Sequence, residues 1–169
     1  MMPLLGQVLY ERNSNQVMYP ASTTKILTAI VVMEHCNLAD TVTVSQSSID
    51  CVEYGYLTSN MKAGETFTVE ELLNVLIVSS ANDAALVLAE HISGSVEDFC
   101  TLMNQTAVKI GCTNSNFINP NGVHNENHYS TAHDLALIGN YSLKFDKLKE
   151  LYKTTYFHLP VTDIYTVDD

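Results

Sequence analysis

The stretch YPASTTKILTAIVVMEH, residues 19–35, begins with a Pro and small polar residues and then turns apolar. Its second part, ILTAIVVME, reads as a strongly buried helix, because a helix apolar on most sides belongs inside a domain. Its first part places Ser22 and Lys25 three positions apart. On a helix those positions share a face, which sets an amine over a hydroxyl. A helix start also offers free backbone N–H groups and the positive end of the helix dipole. A Ser hydroxyl is a poor nucleophile until a base takes its proton, and a Lys is a base only when neutral, a state that burial favours. The same residues also make an ordinary helix start, with Ser22 as N-cap and Lys25 as a solvated charge. Both readings stand on this stretch alone.

S-x-x-K occurs a second time, as Ser59–Lys62. There Ala63-Gly64-Glu65 follows as a turn, so no helix holds the two side chains together and a solvated loop explains them. The sequence also contains one S-x-N, Ser80-Ala81-Asn82, between two apolar helical runs. A polar cluster where a core prefers none is either a capped helix break or a second functional group. In the functional reading Ser80 passes a proton towards a leaving amine and the Asn82 amide holds a substrate backbone.

The surrounding chain is organised mainly as helices. Gly6 to Asn13 reads as a strand and Thr41 to Ser45 alternates like a second one. Thr68-x-x-Glu71 is a capping box that opens an apolar run from Leu72 to Val78. The following helix is expected to stop at Gly94, and Ser95 to cap another that ends at Gly111. Residues 112–130 are rich in Asn, Ser, Gly and Pro and read as an irregular loop, functional or packed as an Ω-loop. Thr131 and Asp134 cap the next helix, a shorter one follows from Phe145, and TYFHLP and IYTV look like closing strands. The sheet is therefore expected from both chain ends.

Bulk composition excludes several classes. The 169 residues suffice for one domain with a sizeable core. Eight basic against 19 acidic residues give a formal net charge of −11, which argues against binding nucleic acid or anionic lipid. No apolar run approaches the roughly 18 residues of a spanning helix. The first residues lack the cationic region of a signal peptide, so an exported protein is expected here already processed or as a cut piece. Cys36, Cys51, Cys100 and Cys112 form no C-x-x-C pair and read as unlinked, mostly buried thiols, with one disulfide open outside the cell. His124, His128 and His133 near Glu126 fit no zinc spacing; no metal and no cofactor is expected. Met18, Met33, Met61 and Met103 read as core.

S-x-x-K followed by S-x-N is the signature of the penicillin-recognising serine acyl-transferases. Three longer stretches, residues 6–34, 61–95 and 117–139, resemble the serine-type D-alanyl-D-alanine carboxypeptidases, the low-molecular-mass penicillin-binding proteins of the bacterial envelope. The resemblance implies an α+β fold of the β-lactamase/transpeptidase type, here mainly its helical lobe with an incomplete antiparallel sheet. It implies Ser22 as acylated nucleophile, Lys25 as general base, Ser80 as proton relay and Asn82 as substrate-binding residue. The implied partners are peptidoglycan stem peptides and β-lactams, at an extracytoplasmic location in the bacterial envelope. A membrane anchor on the parent protein, in a segment absent here, is compatible with it.

One departure stands out. The family's third motif, K-T-G, lies on a strand beside the nucleophile, about a hundred residues after S-x-N. Lys153-Thr154-Thr155 lacks the Gly, follows Asn82 by only about 70 residues and reads as a decoy. Residues 1–169 are accordingly expected to be a single, truncated catalytic domain, weakly active or inactive by themselves. The alternatives are a non-catalytic relative that only binds, or a β-lactamase, for which Glu126 is the only deacylating carboxylate that its loop offers.

Overall fold

A computed structural model describes residues 8, 10–52 and 54–162. Its element order is a 3₁₀ turn (Ala21–Thr23), α1 (Thr24–His35), β1 (Thr41–Thr43), α2 (Gln46–Asp50), β2 (Thr66–Thr68), α3 (Val69–Val78), α4 (Asn82–Ser93), α5 (Val96–Ile110), α6 (Ala132–Ser142) and α7 (Asp146–Leu151).

The apolar helix of the sequence is the centre of the molecule. α1 packs against α3, α4, α5 and α6. Leu27, Ala29, Ile30, Val31 and Val32 are fully buried. Enclosing each of the larger ones stabilises the fold by roughly 1.5–3 kcal/mol. Phe99 and Met103 of α5 and Leu72, Leu73 and Leu76 of α3 complete that core.

The helix ends follow local chemistry. At α3 the Thr68 hydroxyl accepts the Glu71 amide while the Glu71 carboxylate accepts the Thr68 amide, a complete capping box. At α5 and α6 the hydroxyls of Ser95 and Thr131 cap the helix by accepting the amides of Asp98 and Asp134. α4 and α5 end at Gly94 and Gly111, both in the left-handed conformation.

The sheet differs from expectation. Among the described residues it has two strands, with Thr41 opposite Thr68, Val42 opposite Phe67 and Thr43 opposite Thr66, antiparallel. β2 is too short to show a period of two in the sequence. Of the strand expected over Gly6–Asn13, Gly6, Gln7 and Leu9 lie outside the described residues, and Tyr10 to Asn13 are irregular. Thr155 to Pro160 is irregular as well, and Ile164 to Val167 lies outside the described residues. A strand exists only with a partner to take its backbone bonds, and Tyr10–Asn13 and Thr155–Pro160 are paired with no strand among the described residues. Met18 also departs from its expected core place: it is 58% exposed, and its backbone, not its side chain, is what bridges to Ser130. Cys100 and Cys112 are buried thiols, Cys36 is half-buried and Cys51 exposed; none is paired. No described helix is long and apolar enough to cross a membrane.

Candidate active site

The start of α1 is not an ordinary helix start. Ser22 lies in the 3₁₀ turn, with Thr23 in the cap position, and neither hydroxyl caps α1. The Thr23 hydroxyl instead donates to the Pro20 carbonyl at 2.6 Å. Ser22 is exposed at the N-terminal end of the helix. Lys25 is not a solvated charge: it is 2% exposed.

Three groups surround the Lys25 amine. It donates to the Asn121 carbonyl at 2.6 Å, to Asn82 Oδ1 at 3.0 Å and to Ser22 Oγ at 3.4 Å. These partners are all neutral. Burial therefore acts unopposed and pushes the amine down to about 8. A lysine in that range spends an appreciable fraction of its time as a free base at neutral pH, within hydrogen-bonding distance of a hydroxyl. The pair thus has both the geometry and the proton affinity that activation of a serine requires.

The second motif is the break between α3 and α4. Its cap residue is Ala81, with no side-chain cap, so neither Ser80 nor Asn82 is used as one. Ser80 adopts φ +56°, a left-handed conformation that is unusual outside Gly and Asn. Asn82 is 5% exposed. Its Nδ2 donates to the Leu57 carbonyl at 2.8 Å, which leaves Oδ1 aimed at Lys25. The neighbouring Asp83 accepts the amides of Ser59 at 2.9 Å and Met61 at 3.4 Å. The Ser59–Lys62 segment is thereby a pinned, non-helical turn beside the second motif.

Ser22, Lys25 and Ser80 line one cleft of about 320 Å³, with Thr23, Ile26, Leu76, Ile77 and Tyr152. Among the described residues none of its lining comes from a strand. Lys153 and Thr154 close the end of α7, their amides donating to Glu150 and Leu151, and neither lines the cleft. The three histidines point to different partners: His124 to the ring of Tyr19, His128 to Thr24 and His133 to Asp134.

Sequence reading did not connect Asn121, Gly122, His128 or Tyr152 with Ser22 and Lys25. Asn121 contributes a backbone carbonyl, which no side-chain motif reveals. Gly122 has φ +84°, and a β-carbon there would lie 2.0 Å from the Ala21 carbonyl oxygen. The Pro-Asn-Gly of residues 120–122 was the available signal, since a Gly flanked by turn formers marks a close backbone approach.

Comparison with known proteins places the chain in a family. The sequence profile of the D-alanyl-D-alanine carboxypeptidases matches residues 4–166. The chain belongs to that family. It is 37% identical over 154 residues to D-alanyl-D-alanine carboxypeptidase DacF of Bacillus subtilis, covering 88% of this chain and 39% of that protein. It is 37% identical over 142 residues to DacC of Escherichia coli, covering 79% and 36%. Its backbone superposes on penicillin binding protein 5 from Haemophilus influenzae with a TM-score of 0.78 at 35% identity, over 88% of this chain and 44% of that one. For penicillin binding protein 6B from Escherichia coli the TM-score is 0.82 at 29% identity, over 87% and 49%. The fold is thus that of the transpeptidase-like penicillin-binding proteins. The chain spans well under half the length of these two curated relatives.

Proposed function

We propose that this chain carries the nucleophile, base and second motif of a serine D-alanyl-D-alanine carboxypeptidase, an enzyme of the bacterial envelope that acts outside the cytoplasm on peptidoglycan stem peptides. The observation that carries the proposal is the buried Lys25 amine, hydrogen-bonded to both Ser22 and Asn82.

Neutral Lys25 takes the Ser22 proton as Oγ attacks the carbonyl carbon of the D-Ala–D-Ala bond. The C–O bond forms and the carbonyl π pair moves to oxygen, at the end of α1 whose dipole favours negative charge. Collapse of that intermediate breaks the C–N bond. The leaving D-Ala nitrogen receives the proton from Lys25 by way of Ser80. Water then attacks the ester, again with Lys25 accepting its proton, and releases the shortened peptide and Ser22. Asn82, its amide fixed by bonds to both Leu57 and Lys25, is the residue that holds the peptide backbone. A β-lactam enters by the same first step and remains as the acyl-enzyme.

Incubation of the purified protein with a fluorescent penicillin tests this. Covalent labelling that disappears in Ser22→Ala is the expected result. Absence of label on the parent protein at millimolar probe, or label retained in Ser22→Ala, overturns it.

A further inference from the structure

We propose that His128 is a positioning residue for the Lys25 base: as its Nε2–H tautomer it clamps the loop that carries Asn121 onto the first turn of α1. This rests on the acyl-transfer reading above.

The loop meets one side of α1 at three points. Thr28 Oγ1 donates to the Pro120 carbonyl at 2.6 Å, Lys25 Nζ to the Asn121 carbonyl at 2.6 Å, and His128 Nε2 lies 2.8 Å from Thr24 Oγ1. His128 is 1% exposed. Its Nδ1 accepts the Ile118 amide at 3.2 Å. A ring nitrogen that accepts an N–H is unprotonated, so in the neutral ring the hydrogen sits on Nε2 and is donated to Thr24. The Phe117 ring packs edge-on at 5.6 Å. The groups facing the imidazole are therefore a hydroxyl from α1 and an amide and an aromatic ring from the loop, none of them charged.

One ring thus joins Ile118, at one end of the loop, to His128 at the other, and ties both to the residue before Lys25. Asn121 lies between the two ends. His128 does not line the cleft, so it acts through Asn121 and Thr24 and not on substrate. Without the clamp the loop lifts, Lys25 loses its shortest hydrogen bond, and water reaches an amine whose low proton affinity comes from burial alone.

The test compares His128→Ala with His128→Gln, whose amide nitrogen can reach the Nε2 position and restore the donor to Thr24. The readout is the rate constant of penicillin acylation as a function of pH, alongside thermal unfolding. For His128→Ala a fall on the order of 10- to 100-fold is expected, the scale for a slightly displaced catalytic group, with the midpoint of the pH profile moved to more alkaline values. His128→Gln is expected to recover most of the rate and the parent midpoint. An unchanged midpoint in His128→Ala overturns the proposal, whether the rate holds or falls together with thermal stability. If His128→Ala does not fold, Thr24→Val removes the same bond from the other side and decides by the same midpoint. A parent protein that is never acylated defeats the acyl-transfer reading itself, which is a different outcome.

Discussion

Gly122 stands so close to Ala21 that a β-carbon on it would lie 2.0 Å from the Ala21 carbonyl oxygen and 3.1 Å from the Ser22 nitrogen. The loop backbone therefore supports the turn that carries the candidate nucleophile. Gly122→Ala must move one of the two segments, and the left-handed φ of +84° adds strain. We expect it to lower stability by about 1–3 kcal/mol, the usual range for overpacking. We also expect penicillin acylation to fall at least tenfold, on the order seen when catalytic groups are misplaced. Stopped-flow acylation and thermal unfolding measure the two. Wild-type acylation would show that this contact does not place Ser22.

Burial holds the Lys25 amine at about 8. A base is competent only in its neutral form, so acylation should rise about tenfold per pH unit below that value and level off above it. The folded state binds fewer protons here than the unfolded chain, whose lysine titrates near 10.5. Stability contributed by this site therefore rises as the pH climbs from about 8 to 10.5, and the ammonium is destabilising below. A pH profile of acylation that is flat from pH 6 to 9 would remove Lys25 from the role of base.

His128 behaves in the opposite pH range. Burial lowers it from 6.5 to about 4. Above 6.5 both folded and unfolded forms are neutral and the group contributes nothing. As the pH falls from 6.5 towards 4, the unfolded chain takes a proton that the folded protein refuses, so stability is lost. The total is roughly 3 kcal/mol, from the size of the shift. Urea unfolding at pH 7, 5 and 4 should show this loss for the parent protein and a smaller one for His128→Gln. Equal acid sensitivity in the two would assign the loss to other groups.

Asp83 is 1% exposed and accepts the amides of Ser59, Met61 and Ala84. Asp83→Ala leaves buried donors without acceptors, at a cost of about 1–3 kcal/mol for such a group. Asp83→Asn keeps one acceptor oxygen and should cost less. Chemical denaturation of the two variants checks the ranking, and Asn costing as much as Ala would mean that charge rather than bond count holds the turn.

The helices were legible because their signals are local. Thr68 with Glu71, and the glycines at 94 and 111, act within four residues of the ends they define. The Ser22–Lys25 pair was legible for the same reason, since three positions on one helical turn need no knowledge of the rest of the fold. What completes the site comes from far away: Asn121 is 96 residues from Lys25, and His128 is 104 from Thr24. The loop that supplies them has no periodicity to read. Short elements were lost as well, since α2 and β2 have five and three residues. The end strands were read from local sequence, which cannot tell whether a neighbour is present to pair.

Four residues other than Gly take a left-handed backbone among the described ones: Asn13, Ala21, Asn60 and Ser80. Asn tolerates that conformation. Ala21 and Ser80 do not, and they flank and line the same cleft. Each costs roughly 1–2 kcal/mol relative to a relaxed backbone. At Ser80 the relaxing substitution, glycine, would also delete the hydroxyl that faces the cleft. A chain selected for rigidity alone would drift towards glycine at that position, whereas one selected for turnover is held at serine. Retention of serine there against repeated selection for heat resistance would show chemistry and endurance competing for a single side chain.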